Sequence, residues 1–252
     1  MSAAYDTYDY LSYWIGRDYE HKAEVFAVQS FLRQIKKIKT ILEIGAGFGR
    51  LASVYAFRAK KVILTDPSSR TLKVARDTFK SKTNFKYVHS SLENLPTKVR
   101  ASSIDLIVMV RVLHHIKDLN SAFKIVHRTL SDNGYLIFEF ANKRHIKATL
   151  KQISKGNFSF AVDETTSDIR SSKSVKNGTI PFLNYHPEKI KDMLNEFGFE
   201  IIERRSVSNI RSTSLKKIFA TEILISIEKI LQKPLSYISF GPSIFILARK
   251  RG

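Results

Sequence analysis

Three glycines in five residues, Gly45, Gly47 and Gly49, follow directly on the run Ile41-Leu42-Glu43-Ile44 and lead into Arg50-Leu51. An extended apolar segment that runs into so many glycines is a buried strand feeding a tight turn, because glycine alone takes positive φ without penalty and lets another body lie against bare backbone. The spacing is G-x-G-x-G rather than the G-x-G-x-x-G of nicotinamide and flavin turns, so it is not built as their pyrophosphate cradle. Taken alone, such a loop reads equally well as a structural turn.

The rest of the chain sets the turn in a repeating pattern. Short apolar runs (ILEI, VILT, FKYV, IDLIVMV, YLIFEF) alternate with helical stretches at Arg50–Arg58, Arg70–Lys80 and Leu119–Leu130. That alternation predicts an α/β fold, a mostly parallel sheet with helices on both faces. Upstream, Glu20–Lys37 carries Val25, Phe26, Val28, Phe31, Leu32 and Ile35 at helical spacing, preceded by an aromatic-rich arm with Tyr10, Tyr13, Trp14 and Arg17. Around Ala141–Pro181 the pattern breaks into a basic, Ser/Thr/Asn-rich segment. A helix opens at His186-Pro187 and ends at Gly198, with proline and glycine at the termini that suit them. Phe199–Val207 and Ile244–Ala248 complete seven strands, and Ser214–Gln232 is a second helical insertion. The expectation is one domain over 1–252: arm and helix 1–38, core 40–140, lid insertion 141–185, and a C-terminal part 186–252 with a helical insertion at 208–240.

Two acids sharpen the glycine turn. Glu43 stands two residues before Gly45, and VILTD ends in Asp66, placed at the tip of the second strand where a carboxylate accepts hydrogen bonds from ribose hydroxyls. ILEIGAGFGRL, VILTDPSSRTLKVAR, SSLENLP and IDLIVMVRVLHHIKD, in that order, closely resemble the class I, Rossmann-like S-adenosylmethionine-dependent methyltransferases, those acting on small molecules in particular. The resemblance covers Thr40–Phe140 by motif and the remainder by topology. It implies a seven-stranded, mostly parallel methyltransferase sheet with an N-terminal helical arm and lid insertions around strand six, and S-adenosylmethionine as cofactor. Gly45, Ala46, Gly47 and Gly49 would form the loop against the methionine and ribose portion. Asp66 would hold the ribose and Pro67 shape the adenine edge. Glu43 would orient the loop or the cofactor's amino group, or merely cap the turn. Ser91 stands where many members carry Asp toward the adenine amino group, so a neutral hydroxyl replaces a charged acceptor. Leu92 would add an apolar contact. Val110 and Arg111 follow strand four at the ligand-binding edge, and Tyr13 or Arg17 would close the arm over the site.

The sulfonium methyl is already activated, so only a hydroxyl or other weakly acidic acceptor needs a base. His114 and His115 follow strand four, and His115 is the candidate base, the alternative being a tie between this loop and its surroundings. No ligand spacing such as H-E-x-x-H is present, and no metal is expected.

The chain has no Cys, which removes disulfides, thiolate metal sites and the cysteine nucleophile of cytosine-C5 methyltransferases. The N-terminus lacks the basic-then-apolar pattern of a signal peptide, and no run is long and apolar enough to span a bilayer; a cytoplasmic location is expected. Forty-two basic against 23 acidic residues give +19, a field that attracts RNA or acidic lipid surfaces, or else reflects a lysine-rich composition. The proline-containing motif of adenine-N6 methylases is missing where VRVLHH stands, and no RNA-binding module is appended. The expected partner is a small-molecule or lipid-like methyl acceptor, with an RNA methyltransferase as alternative and a non-catalytic cofactor-binding protein as a third reading.

Overall fold

A computed structural model describes residues 11–176, 179–210 and 212–252; Tyr10 of the arm lies outside them. At the centre the described residues form a seven-stranded sheet. Its strands are β1 (Thr40–Ile44), β2 (Lys61–Asp66), β3 (Phe85–His89), β4 (Ile104–Met109), β5 (Leu130–Ala141), β8 (Phe199–Val207) and β9 (Ser243–Lys250), while β6 (Ser167–Asp168) and β7 (Leu183–Asn184) pair separately. The order is β3-β2-β1-β4-β5-β9-β8, parallel through β5, with β9 antiparallel to both neighbours.

Both sheet faces are covered, which is why the central strands read as unbroken apolar runs. Side chains alternate between the two cores. Ile41, Leu106, Val108, Ile137, Phe245 and Leu247 point into one, with the Asp18–Leu32 helix and Leu224 and Ile225 of the Thr221–Tyr237 helix. Leu42, Ile107, Met109, Phe138 and Ile246 point into the other, with the Leu119–Thr129 and Pro187–Glu196 helices.

The helix boundaries differ from the periodicity where carbonyls find tertiary partners. The first helix spans Asp18–Leu32 rather than Glu20–Lys37: the Arg58 guanidinium donates to the carbonyls of Leu32 at 2.9 Å and Ile35 at 2.6 Å, so the chain leaves the helix while Ile35 stays buried. The helix expected over Arg50–Arg58 shrinks to Ala52–Tyr55 plus a 3₁₀ turn, Ala56–Arg58, and the Ala59 carbonyl accepts from Asn84 Nδ2 at 3.1 Å. The single helix read over Ser214–Gln232 is two, Thr213–Ile218 and Thr221–Tyr237, separated by extended backbone at Phe219.

Two segments extend the sheet's upper edge. Between β5 and β8 the chain forms an Ile146–Ile153 helix, a 3₁₀ turn at Phe158–Ala161 and the β6–β7 pair. The Lys143 ammonium anchors this segment, donating to the Asp163 carbonyl and carboxylate, each at 2.7 Å, and to the Thr165 carbonyl at 2.8 Å. Between β8 and β9 the long helix buries Glu228, whose carboxylate accepts from the Tyr19 hydroxyl at 2.6 Å, the Ser208 N–H at 2.8 Å and the Asn209 N–H at 3.1 Å. Burial raises the pKa of this carboxyl, with the bonds from Tyr19 and Asn209 opposing.

Replacing Glu228 by Ala strands these donors in the core, so Glu228→Ala is expected to lose about 2–4 kcal/mol in urea unfolding. Glu228→Gln, which keeps one accepting oxygen, should lose clearly less.

Candidate active site

The sheet order reverses between β1 and β4, and ligands of open α/β sheets bind at such a switch point, outside the carboxyl ends of the strands. Here a cleft of about 270 Å³ opens among the ends of β1, β2 and β4. It brings together Gly45, Gly47, Asp66, Pro67, Ser91, Leu92, Arg111 and His115 of the residues singled out from the sequence.

The glycine turn is held tightly. Ala46 N–H donates to the Thr65 carbonyl at 2.9 Å, and Gly47 N–H donates to Asp66 Oδ2 at 2.8 Å. Asp66 Oδ1 accepts from Ser68 N–H at 2.8 Å and from the Thr71 hydroxyl at 3.2 Å, so this carboxylate ties the turn to the helix after β2. Gly45, at φ +69°, has no room for a side chain: a Cβ would lie 2.3 Å from Val112 Cγ2. Gly49 serves packing instead, since a Cβ there would meet the Phe79 ring at 2.8 Å, and it does not line the cleft.

Other predicted residues lie nearby without lining it. Ala46 and Val110 are buried beside the cleft. Glu43 is also buried and accepts from the Tyr55 hydroxyl; desolvation pushes its carboxyl up to about 7 against the pull of that bond and of Arg50. Tyr13 and Arg17 line a second pocket, of about 210 Å³, with Arg17 over the Tyr13 ring at 4.1 Å.

Arg111 borders both pockets, in left-handed backbone at φ +60°. Its N–H donates to Glu139 Oε2 at 3.0 Å, and its guanidinium forks onto Glu24 Oε1, at 2.8 Å from Nε and 2.5 Å from the terminal nitrogen. Arg50 takes the other Glu24 oxygen at 2.5 Å. Burial would raise the Glu24 pKa, but Arg111 and Arg50 outweigh it and hold the carboxyl below its ordinary range. Both guanidiniums lie against Trp14, at 3.6 Å for Arg50 and 4.7 Å for Arg111, which pins the arm over the site. Sequence reasoning missed Glu24 and Arg50. The available signal was a carboxylate in register with the apolar stripe Ala27, Val28 and Phe31, where a charge needs a partner.

The second pocket is walled by the arm, the loop after β4 and the β5–β8 segment, including His114, Glu139, His145, Phe182 and Asn184. His114 Nδ1 and Asn184 Oδ1 are buried without a hydrogen-bond partner among the described residues. Burial, then His115 and Arg111, hold His114 well below the usual imidazole range, so it stays neutral. The His115 ring sits 4.0 Å from that of His114 and lines the first cleft; its Nδ1 donates to the Pro181 carbonyl at 2.7 Å. Burial also lowers its pKa, with the Pro181 bond opposing. Sequence reasoning also missed Thr71, Ser90, Ile116 and Ile180 in the first pocket and Asn184 in the second.

A family model described as a methyltransferase domain matches residues 42–138. An uncharacterized protein of Methanocaldococcus jannaschii is 28% identical over 181 residues, 68% of this chain and 65% of its own. A ubiquinone biosynthesis O-methyltransferase of Idiomarina loihiensis is 28% identical over 113 residues, 44% of this chain and 46% of its own. The chain thus spans less than two thirds of either relative. A SAM-dependent methyltransferase structure from Thermotoga maritima superposes with a TM-score of 0.61 at 18% identity, covering 96% of this chain and 95% of the other; this likeness is one of fold. Residues 42–138 thus match a methyltransferase domain, and the fold is the Rossmann-like one of S-adenosylmethionine-dependent methyltransferase structures. The cleft suits that cofactor: bare backbone at Gly45 and Gly47, one carboxylate at the tip of β2, and apolar walls from Leu92 and Ile116.

Asp66→Ala should weaken S-adenosylmethionine binding by about 1.5–3 kcal/mol in calorimetric titration, as for hydrogen bonds to a charged group; unchanged affinity would remove Asp66 from the site. Glu43 supplies a pH signature. Between its ordinary 4.5 and about 7 the folded chain binds the proton more tightly. Its contribution to stability is therefore full below that window and is lost as pH rises through about 7. The stability difference between wild type and Glu43→Gln, from urea unfolding across this range, should shift against wild type with rising pH.

Proposed function

We propose that the protein, in the cytoplasm, transfers the methyl group of S-adenosylmethionine to a small-molecule or lipid-like acceptor whose reacting polar group sits in the second pocket. The observation that carries this reading is the meeting of the two pockets at Arg111 and the His114–His115 pair, with two unpartnered buried polar atoms on the side away from the cofactor cleft. Buried polar groups without partners are costly, and a ligand that hydrogen-bonds them recovers that cost. A volume of about 210 Å³ suits the head of an acceptor rather than a folded macromolecule. The pocket's arginines are engaged, Arg111 by Glu24 and Arg17 over Tyr13, which argues against a phosphate-tracking groove for RNA.

In this reading, Gly45 and Gly47 back the methionine and ribose portion, Asp66 accepts from the ribose, and Pro67, Ser91 and Leu92 frame the adenine. S-adenosylmethionine supplies an electrophilic methyl group when bound. Tyr13 and Arg17 on the arm and Phe182 on the opposite wall exclude water from the acceptor. Asn184 and neutral His114 orient the acceptor by hydrogen bonds. The His115 Nδ1–H bond to Pro181 fixes the tautomer with its lone pair on Nε2, which takes the proton of a hydroxyl acceptor.

The test is transfer of labelled methyl groups from S-adenosylmethionine into RNA, lipid and metabolite fractions of a cell extract at several salt concentrations. Label should enter the metabolite or lipid fraction with little dependence on salt; label in RNA, with binding that falls steeply as salt rises, would overturn the reading. His115→Ala should keep cofactor affinity and lose about 10²–10⁴ in rate. Wild-type rate should fall with acid through a pKa below the usual imidazole value, since the neutral ring is the active form. If His115→Ala loses thermal stability and keeps its rate, the histidine is only the tie to Pro181.

A further inference from the structure

Most of the large hydrophobic side chains exposed among the described residues belong to the two segments that flank β8. Their arrangement is regular. On the Ile146–Ile153 helix, which buries none of its residues, Ile146, Leu150 and Ile153 are exposed at i, i+4 and i+7. On the Thr221–Tyr237 helix, Ile223, Ile227 and Ile230 repeat that spacing, opposite the face that buries Leu224, Ile225 and Glu228 in the core. This second helix therefore has two apolar faces, and the fold uses one. The outer stripe continues through exposed Tyr237 to Ile238, which shares a shallow pocket with Ile146 and Val162 of the other segment. The two stripes adjoin there, since Asn142 Nδ2 donates to the carbonyls of Ser239 at 2.6 Å and Gly241 at 2.7 Å.

Lysines flank both stripes. Lys147, Lys151 and Lys155 are exposed along the first, Lys229 and Lys233 along the second. A row of aliphatic side chains edged by ammonium groups fits the boundary of a bilayer that carries negative headgroups: the apolar row enters the acyl region and the lysines stay at phosphate level. We propose that these two segments dock the protein on an anionic lipid surface. Of other occupants, a second copy would press like-charged faces together in a chain of net charge +19. RNA would satisfy the lysines, but isoleucines offer its bases no ring to stack on. The docking is independent of the acceptor reading above, because it needs neither cofactor nor methyl transfer.

The experiment is co-sedimentation of the full chain with phosphatidylcholine vesicles, with and without phosphatidylglycerol. Binding is expected to the anionic vesicles only and to weaken with salt. The double variants Ile227→Glu/Ile230→Glu and Leu150→Glu/Ile153→Glu alter exposed positions, so their thermal unfolding should match wild type. Each should reduce vesicle affinity by about tenfold or more, through lost apolar burial and added repulsion. No binding to anionic vesicles would overturn the proposal, and so would full binding by both variants, which would reduce the effect to diffuse charge. A dimer in sedimentation velocity without lipid, dissociated by the same substitutions, would likewise overturn it and make the face a self-interface.

Discussion

The site depends on one buried carboxylate. Glu24 sits on the first helix and takes the guanidiniums of Arg50, at the start of the segment after the glycine turn, and of Arg111, after β4. Three elements far apart in sequence are joined at one charge centre. An isolated carboxylate in that position would be several kcal/mol out of balance, so the ion pairs and the fold require each other. The forked geometry on Arg111 fixes direction as well as distance. That direction explains the left-handed backbone at Arg111: the residue turns back toward the arm while its N–H reaches Glu139. Trp14, against both guanidiniums, carries the same constraint into the arm.

A second centre, Asp66, does for the cleft at the switch point what Glu24 does for its neighbour. By accepting from Gly47, Ser68 and Thr71, it holds the turn after β1 and the helix after β2 in one frame. The turn's glycines then divide their work. Gly45 gives way to Val112 and the cleft, and Gly49 to Phe79 behind it. A loop held by its own internal bonds in this way lowers the ordering cost that binding would otherwise bear.

What could be read in advance follows from the range of the interactions. The sheet was legible because its strands are buried on both faces and its helices are amphipathic, both of which leave periodic traces. The cleft was legible because the glycine turn and Asp66 are local motifs at the ends of adjacent strands. The helix ends were not, since Arg58 draws the Leu32 and Ile35 carbonyls out of helical pairing from 26 and 23 residues away. Of the second pocket, the arm, the insertion and the His114 loop were legible, but Asn184 was not, since it comes from a two-residue strand whose partner lies across an insertion. Ala46, Val110 and Glu43 belong to the motif yet lie behind the cleft, because a sequence motif records the turn's own packing as well as its ligand.

The same long-range logic separates the two charged acids on the apolar faces of helices. Glu24 and Glu228 occupy equivalent positions in pattern, each in register with buried residues. Glu24 meets two cations and is held ionised. Glu228 meets the Tyr19 hydroxyl and backbone amides and pairs with no cation among the described residues, and its pKa rises with burial. Because Tyr19 belongs to the helix that also carries Glu24, that one helix docks the β8–β9 segment through hydrogen bonds and orders the loop after β4 through charge. The long helix is thereby fastened by its inner face, with Glu222 pairing Lys22 and Lys229 over Phe26 at its margins, and its outer isoleucines are left exposed. An apolar stripe kept on the outside of an otherwise satisfied helix is a feature that folding does not explain, and binding does.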